Sequence, residues 1–259
     1  MKQISIVIAT WNAAKTLSTC LDSIKTQLTD EIELIIIDGG STDDTNNIIA
    51  SYGNIVSYTV SEKDKGIYDA WNKGIKAAKG KWIAFIGADD ILLPKAMNAY
   101  LEAIHTTQDI DTYDYICAHN EFVDIKGKLL KILGDAPKWS IMRRTMAAAH
   151  VASLHNKKNL FETVGKYDLS FKICADYEML LRKKNHLKYL MLSVRIARMK
   201  VGGMSFSANA IKEAYLIRKK HQTVPSIINW ILFLRDWAAY KFFIIRKQLF
   251  GGVLNESSL

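Results

Sequence analysis

Apolar and polar positions fall into two rhythms along the first hundred residues. Ile4 to Thr10 is a continuous β-branched run, and ELIIID at 33–38 is another. Val56 to Val60 and Lys81 to Gly87 add two more. Runs without alternation belong to strands covered on both faces. Between them apolar residues recur at helical spacing: Leu17, Leu21 and Ile24 within Ala13 to Gln27, then a segment through Ile49 that Ser41 or Thr42 is placed to cap. GIYDAWNKGIKAAKG reads as a further helix ended by Gly80, with Tyr68 and Trp71 on its core face, and Pro94 opens one in PKAMNAYLEAIHTT. The alternation predicts an α/β fold with a mainly parallel sheet flanked by helices.

From about residue 113 the rhythm changes. YDYICAHNEFVD and KGKLLKILG read as two antiparallel strands joined at a Lys-Gly turn. Helical segments follow around Lys157 to Val164 and Ala175 to Lys184, and KYLMLSVRIARMK is a late strand. After Gly202-Gly203 the pattern is helical from Ala210 to Phe250. There are no internal repeats and no low-complexity linker. The chain divides into an α/β unit over 1–207, with halves at 1–110 and 111–207, and a basic, aromatic-rich helical appendage over 208–259.

Composition narrows the function. Apolar residues make up 49% of the 259 and charged residues 24%, an ordinary globular balance that excludes disorder outside the final GGVLNESSL. Three widely spaced cysteines without a CxxC favour a reducing compartment and exclude a cysteine zinc site. MKQISIVIAT is too short an apolar run for a signal peptide, and no stretch reaches the roughly 18 apolar residues of a membrane span. The net charge of +9 calls for an anionic partner. Ile211 to Phe250 holds eight Lys or Arg against two acids, a net of +6, interleaved with Trp230, Phe233, Trp237, Tyr240, Phe242, Phe243 and Phe250. That pattern suits a helix lying on an anionic membrane through residues 211–250; the alternative is a helix pair packed on the α/β unit. No recognition module supports nucleic-acid binding.

The candidate chemistry sits at the carboxyl ends of the strands, where open parallel sheets bind ligands. Thr10-Trp11-Asn12 follows the first strand, Asp38 the second, and Glu62 to Gly66 the third; Asp89-Asp90 follows the fourth. No GxGxxG or GxxxxGK[ST] occurs, so neither a dinucleotide fingerprint nor a P-loop is present. Adjacent carboxylates repel unless a cation or donors lie between them, and a hard divalent cation bridging them to a diphosphate is the functional reading of Asp89-Asp90. A solvated acidic turn is the alternative. Taken singly, Trp11 fits core packing or base stacking, and Asp38 fits a helix cap.

The ordered set ISIVIATWN, IELIIIDGGSTDDT and SEKDKGIYDAWNKGIKAAKGKWIAFIGADD resembles the nucleotide-sugar-binding half of family 2 inverting glycosyltransferases of the bacterial surface-polysaccharide type. HVASLHNKKNLFETVGKYDLSFKICADYEMLLR is similar to their acceptor half, so the likeness covers roughly residues 3–207. It implies a GT-A-like, Rossmann-like fold. It also implies transfer of a sugar from a nucleoside-diphosphate donor, a UDP-sugar first, to a lipid-linked saccharide, with Mn²⁺ or Mg²⁺ as cofactor. By position, Thr10, Trp11, Asn12, Asp38, Gly66, Asp69, Asn72 and Asp89 would line the donor site and Asp90 would hold the metal. Asp176 would be the catalytic base, and His150 would touch acceptor or diphosphate. Such a protein would be cytoplasmic, peripheral on the inner membrane face. Two departures stand out: Gly39 replaces a second acid that bonds the uracil imide in the family, and Gly87 replaces the first acid of the DxD-type motif. The second departure is the one feature that favours a non-catalytic sugar-nucleotide-binding or scaffold protein.

Overall fold

A computed structural model describes residues 1–201 and 207–249. The final residues from 250 on, including Phe250 and the GGVLNESSL expected to be the exception to order, lie outside the described residues. The four apolar runs form β1 (Ile4–Thr10), β2 (Ile32–Asp38), β3 (Tyr58–Ser61) and β4 (Trp82–Gly87). Strands β1, β2 and β4 are paired in parallel, with Thr10 beside Asp38 and Ala9 beside Gly87. Strand β3 adds to β2 in parallel, Ser61 beside Asp38. This register brings the polar strand ends of the sequence onto one rim.

Alternate residues of these strands enter opposite cores, which is why the runs are apolar throughout. Ile4, Ile6, Ile8, Leu34 and Ile36 pack with α1 (Leu17–Lys25) and α4 (Ala96–Thr106). Val7, Ile35, Ile37, Ile83 and Phe85 pack with α3 (Ile67–Ala77) and α6 (Ala175–Leu181) on the other face. The remaining helices of the α/β part are short, α2 (Thr45–Ser51) and α5 (Trp139–Met142).

The second half extends the sheet with mixed polarity. The strand order is β3-β2-β1-β4-β8-β6-β9-β5, built with β5 (Ile91–Leu92), β6 (Tyr115–Val123), β8 (Leu154–Asn156) and β9 (Tyr189–Lys200). The expected hairpin is present: β7 (Leu129–Leu133) pairs antiparallel with β6. Lys157–Glu162 is a wide helical turn. The appendage is two helices, α7 (Ala208–His221) and α8 (Ser226–Leu249).

Several boundaries differ from the sequence expectation. The third strand begins at Tyr58, after a turn in which the Ile55 N–H bonds to the Tyr52 carbonyl; the Ser57 N–H already reaches the Leu34 carbonyl of β2. Neither Ser41 nor Thr42 caps α2, which starts at Thr45. The Ser41 hydroxyl is spent on Asp38, and the Thr42 N–H on Asn12 Oδ1. The first helix starts at Leu17 rather than Ala13, since the Ala13 and Ala14 N–H groups bond to Thr45 Oγ1 and Asp43.

Candidate active site

The rim is built from buried carboxylates and the loops they organise. Asp38 is fully buried at the end of β2. Its carboxylate accepts hydroxyl bonds from Thr10, Ser41 and Ser61 and N–H bonds from Gly40 and Ser41. Burial works to raise its pKa, but the bonds from Ser41, Ser61 and Thr10 outweigh it and hold the group below the usual carboxylate range. With its lone pairs engaged, Asp38 ties the ends of β1, β2 and β3 together. Neither Asp38 nor Thr10 projects freely into the cleft.

Asn12 takes a left-handed backbone, φ 49°, a conformation that asparagine tolerates. Its N–H donates to Ser41 Oγ at 2.8 Å and its Oδ1 accepts the Thr42 N–H at 2.9 Å. That turn leaves the neighbouring Trp11 indole 70% exposed, standing off the rim instead of in the core. An exposed indole fixed by a rigid turn is a stacking surface.

The two family departures have local explanations. A Cβ at Gly39 would lie 2.6 Å from Asp64 Oδ2, so the carboxylate absent at 39 is matched by one arriving from the loop after β3. Asp64 is held there by the Gly66 N–H at 2.8 Å. A Cβ at Gly87 would lie 2.7 Å from Asp90 Oδ2 and 2.9 Å from Asp89 Oδ1, so both carboxylates fold over the space a side chain would fill. Asp90 is 6% exposed and accepts the Gly87 N–H at 3.0 Å. Burial first, then the Asp89 charge, push its carboxyl up to about 7 against the pull of that N–H. Two hard oxygen donors, Asp90 buried beside the charge of Asp89, fit a divalent cation that takes its other ligands from phosphate and water. Among the described residues no cluster of three or more His, Cys, Asp or Glu offers a fuller protein cage.

Helix α3 brings the next group. Gly66 precedes it with φ 114°, which a side chain would strain. Asp69 Oδ2 accepts the Lys65 N–H, and Asn72 pairs with both the N–H and the carbonyl of Tyr167. Asp69 and Asn72 thus fix the loop and join the two halves. Tyr68, expected only as core, does more. Its Oη lies 2.6 Å from the Ile173 carbonyl and 3.0 Å from Asp176 Oδ1, its single proton shared between them.

Asp176 is the second residue of α6; the residue before the helix is Cys174, so Asp176 does not cap it. Burial raises its pKa, against the backbone bond from Tyr177 and the Tyr68 hydroxyl. A carboxylate tuned upward and aimed by a phenol is suited to proton abstraction. His150, by contrast, sits 9% exposed in an aromatic core against Trp71, Phe85 and His155, not on the rim. Burial lowers its pKa to about 3, so it is neutral there. His155 shares that core.

The model for "Glycosyl transferase family 2" matches residues 5–160. The chain is 33% identical over 193 residues to the PGL/p-HBAD biosynthesis glycosyltransferase of Mycobacterium bovis, covering 69% of this chain and 68% of that one. In fold it is similar to S. aureus TarS 1–349 in complex with UDP-GlcNAc, at TM-score 0.64 and 15% identity over 98% of this chain and 77% of that one. It is also similar to the mannosyltransferase PcManGT from Pyrobaculum calidifontis in complex with GDP-Man and Mn²⁺, at TM-score 0.62 and 15% identity over 99% and 77%. Both share the GT-A architecture seen here. The rim carboxylates and the sequence likeness lead to one conclusion: the chain belongs to glycosyl transferase family 2.

Proposed function

We propose that this glycosyltransferase moves a sugar, with inversion, from a nucleoside diphosphate, a UDP-sugar first, to a hydroxyl of a lipid-linked glycan at the inner face of the cell membrane. The observation that carries the reading is Asp176, a carboxylate raised in pKa and aimed by Tyr68 from the donor-binding half of the molecule. Inversion needs one base opposite the leaving group, and Asp176 fills that role by taking the acceptor hydroxyl proton as the oxygen attacks the anomeric carbon. Tyr68 donates to the same carboxylate and keeps it oriented. The transition state is oxocarbenium-like.

On the donor side, Trp11 would stack on the base, and Asp64 would supply beside Gly39 the carboxylate that reads a uracil imide. Thr10, Asn12 and Asp38 hold that wall, while Gly66, Asp69 and Asn72 shape the loop along the diphosphate. Asp90, with Asp89 beside it, would hold Mn²⁺ or Mg²⁺. When bound, the cation offsets the negative charge that builds on the departing diphosphate. Structural relatives with UDP-GlcNAc and with GDP-Man plus Mn²⁺ support this assignment of the rim.

The test is calorimetric titration with UDP, GDP, CDP and dTDP, each with and without Mn²⁺, on wild type and Asp90→Asn. Metal-dependent binding of one nucleotide, lost in the variant, is the expected result. Absence of binding by all four would favour a scaffold built on the same fold.

A further inference from the structure

We infer that Glu213, on α7, is a positioning residue for Asp176, which makes the C-terminal appendage part of the catalytic apparatus. The inference rests on the reading of Asp176 as base given above.

Three successive backbone N–H groups just ahead of Asp176 converge on one carboxylate. Glu213 Oε1 accepts from Lys172 at 2.8 Å, and Oε2 accepts from Ile173 and Cys174, each at 2.9 Å. Such charge-assisted bonds are among the stronger ones in a protein, and three on one group define the path of the chain closely. The Cys174 thiol adds a bond to the Ala210 carbonyl, one turn before Glu213 on α7. On its other side the same segment is held by Tyr68, whose hydroxyl reaches the Ile173 carbonyl and Asp176 together. Lys172 Nζ also reaches the Lys65 carbonyl, next to Gly66 at the start of α3. Residues 172–174 are therefore clamped between α7 and the donor-binding half, and the base leaves that clamp two residues later.

Helix α7 is itself anchored. Lys220 and His221 bond to the buried Glu178 of α6 at 2.8 Å each. Arg218, fully buried, bonds to Asn229 of α8 and to the Arg144 carbonyl. Glu213 thus works from a fixed platform, and its negative charge is matched to donors that have no other partner in the ladder of the sheet. A slip of the segment would move the Ile173 carbonyl and change which acceptor Tyr68 serves, and so the aim of Asp176.

Glutamine at 213 keeps one oxygen but must turn an NH₂ toward at least one of the three donors. The test compares Glu213→Gln and Glu213→Asp with wild type and Asp176→Asn. It reads UDP binding, turnover of the donor selected by titration (nucleoside diphosphate released, with water as acceptor), and hydrogen exchange of the 172–174 amides. In Glu213→Gln the expected results are unchanged UDP binding, faster exchange at 172–174, and kcat lower by about 10- to 100-fold, the scale of a misplaced catalytic group. KM for the donor should stay within about twofold. Glu213→Asp, which keeps the charge, should recover part of kcat. Wild-type kcat in Glu213→Gln, or a loss fully matched by lost UDP binding, would overturn the inference while leaving the base assignment intact. Full turnover by Asp176→Asn would instead remove the parent reading and this inference with it, and unchanged exchange at 172–174 in Glu213→Gln would overturn this inference whether or not wild type hydrolyses the donor.

Discussion

At the scale of single residues, the site separates groups that hold shape from groups left to react. On the function proposed above, Asp176 is of the second kind. Its pKa is raised, so the folded state binds the proton more readily than the unfolded chain does. Any stability tied to that proton is present at low pH and lost as pH rises through the raised value. Asp176→Asn is therefore expected to melt no lower than wild type at pH 7 while turnover falls by a factor of about 10² or more. A lower melting temperature together with retained turnover would contradict both halves. In wild type the acid limb of kcat should lie above the ordinary aspartate value of about 4, since the base works only when ionised; a limb at or below it would count against Asp176. Asp38 is of the first kind, with its pKa held down by hydroxyl and N–H donors. Its stabilisation is present above the unfolded pKa and lost as pH falls through the lower folded one. Asp38→Asn turns an NH₂ toward those donors and should cost about 2–3 kcal/mol in urea unfolding. The carboxylates at 38, 89 and 90 were legible because each ends an apolar run. The Tyr68–Asp176 bond spans 108 residues and Glu213 reaches back about 40, separations at which no local pattern carries information. The surroundings of His150 were illegible for the same reason: only the packed neighbours show that its ring lies among aromatics.

At the scale of elements, the parallel half was readable because both faces of its strands are buried, so apolar continuity marks them directly. The second half was less so. Strand β8 is three residues long and yet lies between β4 and β6, an insertion set by tertiary pairing and not by its own pattern. Helix α3 shows how closely the elements of the first half meet. A Cβ at Gly74 would run into Cγ1 of the fully buried Val7 on β1. Alanine gains about 1 kcal/mol of helix propensity there, but overpacking typically costs about 1–3 kcal/mol. Gly74→Ala should thus be net destabilising. Pairing it with Val7→Ala should recover about 1 kcal/mol relative to the sum of the single changes, as expected for residues in contact. Strict additivity in urea unfolding would contradict the contact between α3 and β1 at these two positions.

At the scale of the molecule, the two appendage helices part company. Of the basic residues that suggested a membrane, Arg218 is buried and Lys220 is paired with Asp168 and Glu178, so one face of α7 packs on the α/β unit. Helix α8 does not bury both sides. Asn229 and Phe233 face α7, Asn229 bonding to the Tyr215 carbonyl and Phe233 lying against the Tyr215 ring, and Leu232 is buried. Ile227, Trp230, Ile231, Leu234, Phe242 and Ile245 stay exposed, Phe242 at 68%, and their spacing places them on one stripe of the helix. Lys241 lies on that stripe and covers the Trp237 ring. No helix among the described residues is long and apolar enough to cross a membrane; the membrane contact proposed above would place this stripe in the interface. Removing the whole appendage would also remove Glu213, which makes truncation a poor test of membrane contact. The informative variant is Trp230→Ser/Ile231→Ser/Phe242→Ser, which changes only exposed positions and should leave melting temperature and UDP binding unchanged. Flotation with vesicles containing anionic phosphatidylglycerol should be strong for wild type, weakened by the triple change and reduced by high salt. Equal flotation of the two proteins would remove α8 as the membrane contact. If wild type instead forms a concentration-dependent dimer that the triple change dissolves, the stripe is covered by a second copy of the chain.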